Sequence, residues 1–282
     1  MLDYYKQFIL GDKVVIPDGM TEIEKWAFSG CTCFSKVEMP NSVKKIESEA
    51  FCRCSNLASI DIPKSVTHIN SSAFDFCSGV TSITVASDND RYRSKGNCLI
   101  LYDDLLIKGC KNSIIPDGVE IIGGSAFRGC TNLSSIKFPD SLVEIGEFSF
   151  HNCHGLTNIS IPKNVTVIGA YGFSCCTGLT IVKMFDGITR IGENAFSSCR
   201  SLTCFEIPDS VKMIGNNAFD NCPSLTSLKV RIRNPRKTES LLIDAGLDYQ
   251  FSRISLSVPL GTRDAYSRYA FFNKFNVILD DL

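Results

Sequence analysis

Pro40-Asn41-Ser42-Val43-Lys44-Lys45-Ile46-Glu47-Ser48-Glu49-Ala50-Phe51-Cys52-Arg53-Cys54-Ser55-Asn56-Leu57-Ala58-Ser59-Ile60-Asp61-Ile62 is the stretch that decides the fold. Pro63 follows it, 23 residues after Pro40. From Pro139 the same offsets give Leu142, Ile145, Ser149, Phe150, Cys153, Leu156, Ile159 and Ile161. Units of this form open at Pro17, Pro40, Pro63, Pro116, Pro139, Pro162, Phe185 and Pro208, with Phe185 standing where a proline belongs. A repeat of this length means stacked supersecondary units, because one unit alone has nothing to bury its apolar face against.

Within a unit, L-x-x-I-x-I ends in period-two alternation, the pattern of a strand with one buried face. The proline after it cannot continue a sheet ladder. Asp18-Gly19, Asn41-Ser42, Lys64-Ser65 and Asp140-Ser141 then supply turn chemistry. A second extended piece, V-x-x-I, leads into a compact turn carrying Ala-Phe. No segment holds helical periodicity for three turns. The reading is a mainly β solenoid of parallel strands, paired in register at one rung per 23 residues.

Cysteine count would suggest disulfides in a short secreted chain, but the repeat accounts for most of the 14. Cys31, Cys54, Cys77, Cys130, Cys153, Cys176, Cys199 and Cys222 occupy one offset in every unit, so they read as small inward-facing, reduced residues. Cys33, Cys52, Cys98, Cys110, Cys175 and Cys204 lie outside that ladder. Cys31, Cys33, Cys52 and Cys54 are no zinc site on this reading, since ladder residues of different rungs do not converge tetrahedrally. His151 and His154 flank a ladder cysteine and read as solvated-turn residues. Asp88-Asn89-Asp90 lacks the glycine and distal glutamate of a calcium loop and reads as a solvated turn. No metal and no cofactor are expected.

Lys+Arg 29 against Asp+Glu 30, a net charge of −1, excludes the basic excess of a nucleic-acid groove. No apolar run of about 18 residues marks a membrane span. Only three histidines occur, without G-x-S-x-G, Walker-type or H-E-x-x-H motifs, so nothing points to an enzyme.

Ile16-Pro17-Asp18-Gly19-Met20-Thr21-Glu22-Ile23 and Asn194-Ala195-Phe196-Ser197-Ser198-Cys199-Arg200-Ser201-Leu202 resemble the BspA-like leucine-rich-repeat family. The resemblance covers residues 12 to 231. It implies a right-handed leucine-rich-repeat solenoid, often bacterial and at the cell surface, acting in adhesion and protein–protein binding without common catalytic residues. Val258-Pro259-Leu260-Gly261-Thr262 and the aromatic run after it resemble the family's terminal cap. The expected organisation is an N-terminal cap segment at 1–15, the solenoid at 16–231 and a C-terminal cap at 232–282. Residues 238–248 read as a short helix in that cap. About 86–115, where the period lengthens to 30, residues 97–102 and 105–108 flank Asp103-Asp104 as an inserted β-hairpin.

A non-catalytic, monomeric module binding a protein partner, host or extracellular-matrix components among the candidates, is the functional expectation. Its alternative is an intracellular scaffold. The opening residues Met1 to Lys6 are too polar for a secretory leader. The compartment is therefore open: surface or secreted if a leader was removed, cytoplasmic if the native chain starts at Met1. Outward positions of the main strands supply Lys36, Asp61, Thr84, Lys137, Asn158, Lys183, Glu206 and Lys229 as candidate contacts. That strip has no aromatic anchors, which favours a plain solvated face. The rival site is the hairpin, with Tyr92, Arg93 and Tyr102, plus the basic cluster Arg231, Arg233, Arg236 and Lys237.

Overall fold

Alternating leucine and isoleucine bury one side of each L-x-x-I-x-I segment, and most neighbouring segments pair in parallel. The computed structural model describes residues 2–282, so Met1 of the expected cap segment 1–15 lies outside the described residues. Main strands run at Lys13–Val15, Lys36–Glu38, Ser59–Ile62, Ser82–Val85, Asn158–Ser160, Ile181–Lys183, Cys204–Ile207 and Ser227–Val230. Lys13 faces Lys36, Ser59 faces Ser82, and Cys204 faces Ser227, each 23 residues on. The V-x-x-I pieces form two-residue return strands in the same register, as in Lys45 with His68 and Glu144 with Val167. The chain is a mainly β leucine-rich-repeat solenoid of parallel strands.

The Ala-Phe turn supplies a third ladder. Phe148, Phe150 and Asn152 donate their N–H groups to Ala170, Gly172 and Ser174 of the next rung at 2.8–3.0 Å. Most units repeat this with two residues in the left-handed region, such as Phe148 (φ 53°) and Asn152 (φ 62°). Inside the turn, the phenylalanines stack face to face. Phe28, Phe51 and Phe74 form one column, and Phe127, Phe150, Phe173, Phe196 and Phe219 another, with neighbouring centroids 4.9–6.1 Å apart.

Ladder cysteines sit beside this column as free thiols. Each S–H of Cys54, Cys77, Cys153, Cys176, Cys199 and Cys222 donates to the phenylalanine carbonyl of the preceding rung at 3.0–3.2 Å. Burial pushes the Cys222 thiol up to about 12 and raises Cys153, Cys176 and Cys199 as well. Cys31 departs from the expectation: on the first rung it is only partly buried.

The two columns are separated by the oversized unit, and here the structure corrects the sequence reading. The expected hairpin is present, Cys98–Leu101 pairing antiparallel with Leu105–Lys108, but Tyr92–Lys95 joins it as a third antiparallel strand, so the insert is a meander. Its last strand joins the return sheet in parallel with Ile121–Ile122. Leu99 packs with the N-terminal core, while Cys98, Ile100 and Leu106 pack with the C-terminal one. The meander is thus a partition wall, buried on both faces, which explains its continuous apolar runs. Gly109 takes the phenylalanine place at this level, where a Cβ would fall 2.1 Å from the Phe127 ring.

Both ends extend the ladders. Lys13–Val15 already pairs as the first main strand, although the sequence reading placed it in the cap. Ser255–Val258 and Val277–Asp280 add two parallel strands after Ser227–Val230. The cap helix spans Pro235–Leu242, earlier than the expected 238–248. Asn234 caps it by accepting from the N–H groups of Arg236 and Lys237, and Pro235 fits the first turn without needing a donor.

Candidate functional site

The main strands fall into three separately paired groups, interrupted between Lys36–Glu38 and Ser59–Ile62 and again between Ser82–Val85 and Asn158–Ser160. Leu133-Ser134-Ser135-Ile136-Lys137-Phe138 has strand sequence, yet residues 134–138 belong to no strand and make no backbone–backbone hydrogen bond among the described residues. Elsewhere the residue after the unit's leucine is tied to the preceding rung, as Thr81 N–H to Ala58 O at 2.9 Å and Thr180 N–H to Thr157 O at 2.8 Å. Ser134 and Thr157 have no such bond. The partition wall is the cause. Ile114, on the rung before, sends its N–H to Gly96 O at 2.8 Å and so leaves the main-sheet register.

Two adjoining clefts of about 680 and 490 Å3 open along this unpaired segment and share Ile136, Lys137 and Phe138. Ile114 (75% exposed) and Phe185 (54%) stand in their walls. Lys95, Lys137 and Lys163 line them against Asp117 and Asp140, and none of the five is in an ion pair among the described residues. No group of three or more His, Cys, Asp or Glu is placed to hold a metal among those residues.

The structure disperses the other sequence candidates. Asn158 and Lys183 lie on the adjacent strands, Asn158 opposite Ile181, and line neither cleft, whereas Lys137 lines both. Asp61 accepts from Ser59 and Thr84 hydroxyls, and with Lys36 these line a separate shallow cleft. Glu206 is committed to Arg231, and Lys229 is half-buried beyond it. Tyr92 is corrected outright: it is 3% exposed, and its hydroxyl accepts the Ile69 N–H at 3.0 Å. Tyr102 is exposed, with the Arg91 guanidinium over its ring.

Six copies of the BspA type leucine rich repeat region match this chain, over residues 4–95 and 107–226. The chain belongs to the BspA-type leucine-rich-repeat family. Families of this kind generally bind proteins and are generally non-enzymatic. Among solved structures, a leucine rich cell surface protein from Faecalibacterium prausnitzii A2-165 is 26% identical with a TM-score of 0.60. The match covers 98% of this chain and 61% of that one, so this chain spans less than two thirds of that relative. The pneumococcal vaccine antigen PcpA shares the fold at 18% identity and a TM-score of 0.66, covering 96% and 68%. So does a leucine-rich repeat protein from Eubacterium ventriosum, at 18% and 0.61, covering 95% and 81%. No curated protein matches the chain.

Within this leucine-rich-repeat frame, the rival basic cluster is a set of struts. Arg231 pairs with Glu206, Lys237 with Asp209 at 3.3 Å, and Arg233 donates to Leu260 O at 3.2 Å. Asn89, expected in a solvated turn, is buried and donates to Pro63 O and Val66 O while accepting from Arg91 and Tyr92 N–H.

The sequence reading missed a stack on the turn face. The Arg53 guanidinium lies 5.4 Å from the Phe76 ring centroid, and Arg128 sits 5.2 Å from Phe76 and 4.9 Å from Phe148. Phe148 stacks on Tyr171 at 4.6 Å. Asp75 anchors Arg128 at 3.1 Å and buried Lys108 at 3.4 Å. His151 meets Phe148 edge-on, and burial, with Arg128 nearby, lowers its pKa to about 4. This stack closes the seam left by the oversized unit. Its one sequence signal was aromatic residues at outward offsets, spread over two different positions of the unit.

Proposed function

We propose that this chain is a non-catalytic protein-binding module of the bacterial cell surface, acting in adhesion and presenting its main-strand face to a protein partner. The groove along residues 134–138 carries this reading. It combines exposed apolar side chains with lysines outside any ion pair among the described residues. Interfaces are anchored by a few desolvated large side chains inside a charged rim, and Ile114 and Phe185 with the lysines around them supply both. The Faecalibacterium protein's description as a cell surface protein supports the location. A specific observation favours a second reading, an intracellular scaffold: all 14 cysteines are free thiols, the state kept in reducing compartments.

Affinity capture with the purified chain tests both readings. Extracellular-matrix proteins and host-cell surface extract are compared with bacterial lysate, for the native chain and for Ile114→Ser and Lys137→Glu variants. Saturable capture of a host or matrix protein, lost in both variants, is the expected result. Capture from lysate alone selects the scaffold reading. Capture that both variants retain removes the groove from the binding face.

A further inference from the structure

We infer that the cleft between the last repeat and the C-terminal cap binds one pyranose ring of a sugar, apart from the main-strand face. Along the turn face, each earlier unit ties one backbone N–H to the next rung, as Asn152 to Ser174 O at 3.0 Å and Ser198 to Asp220 O at 2.8 Å. The last unit continues this ladder only in part. Asn217 and Phe219 donate to Asp244 O and Ala245 O of the cap at 2.7 and 2.9 Å, while the Asn221 N–H has no backbone acceptor among the described residues. The cap turns away at Gly246 (φ 80°), where a Cβ would fall 2.9 Å from the Asp220 N and Cβ. Residues 249–253 then come back beside Asp220 and Asn221, across a cleft of about 250 Å3.

Asp220, Asn221, Tyr249, Gln250 and Arg253 line it. The Asp220 carboxylate and the Arg253 guanidinium are in no ion pair among the described residues, with each other or elsewhere. Gln250 is buried, and its Nε2 is fixed by donating to Phe219 O at 3.2 Å and Gly246 O at 3.3 Å. Its Oε1 has no partner among the described residues, a costly state for a buried acceptor. Tyr249, 92% exposed, is the most exposed large hydrophobic side chain among them, a flat apolar face at the rim. The cleft is smaller than the roughly 300–1,000 Å3 of drug-sized sites, which suits a single ring. A pyranose covers an aromatic ring with its C–H face, while its vicinal hydroxyls both donate and accept. They donate to Asp220, and they accept from Arg253 and the Asn221 N–H. A lone anion would meet Asp220 and a lone cation Arg253. A zwitterionic amino acid would match both charges but leave the Tyr249 ring unused.

The test is saturation-transfer NMR on the full chain with methyl α-glucoside, methyl α-mannoside, methyl β-galactoside and N-acetylglucosamine. Sorbitol, which has vicinal hydroxyls but no ring face, and glycine, a zwitterion, serve as competitors. Transfer to at least one sugar is the expected result, with titration shifting the Asn221 amide resonance and leaving that of Ser82 on the main face in place. Tyr249→Ala weakens binding about tenfold, whereas Tyr249→Phe, which keeps the ring, leaves it unchanged. Asp220→Asn and Arg253→Met each weaken it about tenfold as well. All three positions are exposed, and an unchanged melting temperature checks that each variant folds.

Transfer to none of the four sugars overturns the inference, as does binding indifferent to Tyr249→Ala or sorbitol binding as tightly as the sugars. Glycine binding more tightly than every sugar overturns it in favour of a zwitterion. Sugar binding that shifts Ser82 and not Asn221 moves the site to the main face and overturns it too. Partner capture by the main face stands or falls separately, because none of the variants used here touches that face.

Discussion

At the scale of single residues, the turn face shows what the repeat tolerates. Trp26, Glu49, Arg53, Phe76, Phe148 and Tyr171 all hold positive φ, which disfavours side chains without the local hydrogen bonding of asparagine. The cross-rung hydrogen bonds of the turn fix the backbone, so the side chain at those places adapts to it. Asn194, Asn217 and Gly129 at equivalent positions are the easier choices. His151 shows a second kind of constraint. Its folded pKa, about 4, lies below the ordinary value of 6.5. A depressed value means that the neutral imidazole's contribution is fully present above pH 6.5 and is lost as pH falls through 4. Urea midpoints of the native chain should therefore drop more steeply between pH 6.5 and 4 than those of His151→Gln, which lacks that imidazole. Parallel pH profiles would remove His151 from the account.

At the scale of elements, the three-stranded meander is joined to its neighbours by one buried charge cluster. Lys108 on its last strand reaches Asp75 in the Pro63 unit and Ser125 O at 3.1 Å in the Pro116 unit. Arg128 reaches the same carboxylate from the other side. Burial raises the Asp75 pKa even with these two cations beside it, so the cluster fixes geometry at an electrostatic cost. Removing one partner leaves a buried charge short of compensation. Lys108→Met should cost about 3 kcal/mol of stability, read as a shifted denaturation midpoint. Adding Asp75→Asn to it should cost less than the sum of the two single changes. Strict additivity would show that the two residues do not act together.

For the molecule as a whole, the partition divides the interior into two clusters, one around Phe28, Phe51 and Phe74 and one from Phe127 to the cap phenylalanines Phe251, Phe271 and Phe272. Solenoid stability is close to a sum of rung and nearest-neighbour terms. The N-terminal block has fewer stacked phenylalanines among the described residues. Hydrogen exchange in rising urea should therefore release Val43, Ile46 and Phe51 before the equivalent positions Ile188, Ile191 and Phe196 of the C-terminal block. Simultaneous release of both sets would show that the meander transmits cooperativity across the seam. The same break creates the groove, because the rung that gives up main-sheet pairing to hold the meander leaves residues 134–138 without backbone hydrogen bonds among the described residues.

The sequence by itself determined the unit, its register and its core. Leu57, Ile60, Ile62, Phe51 and Cys54 recur at fixed offsets because a stack needs every rung to bury the same positions against the next. It also contained the meander strands, legible in Leu99-Ile100-Leu101 and Leu105-Leu106-Ile107 as continuous apolar runs, although the hairpin alone was read from them. Only the tertiary structure decided which way those strands faced, and with it the fates of Tyr92, buried, and Ile114, exposed. Of the candidate site, Lys137 was legible as an outward position, while the groove beside it was not. A groove arises from hydrogen bonds that fail to form between rungs distant in sequence, and a periodic pattern records the residues that could pair without recording the pairs that are missing.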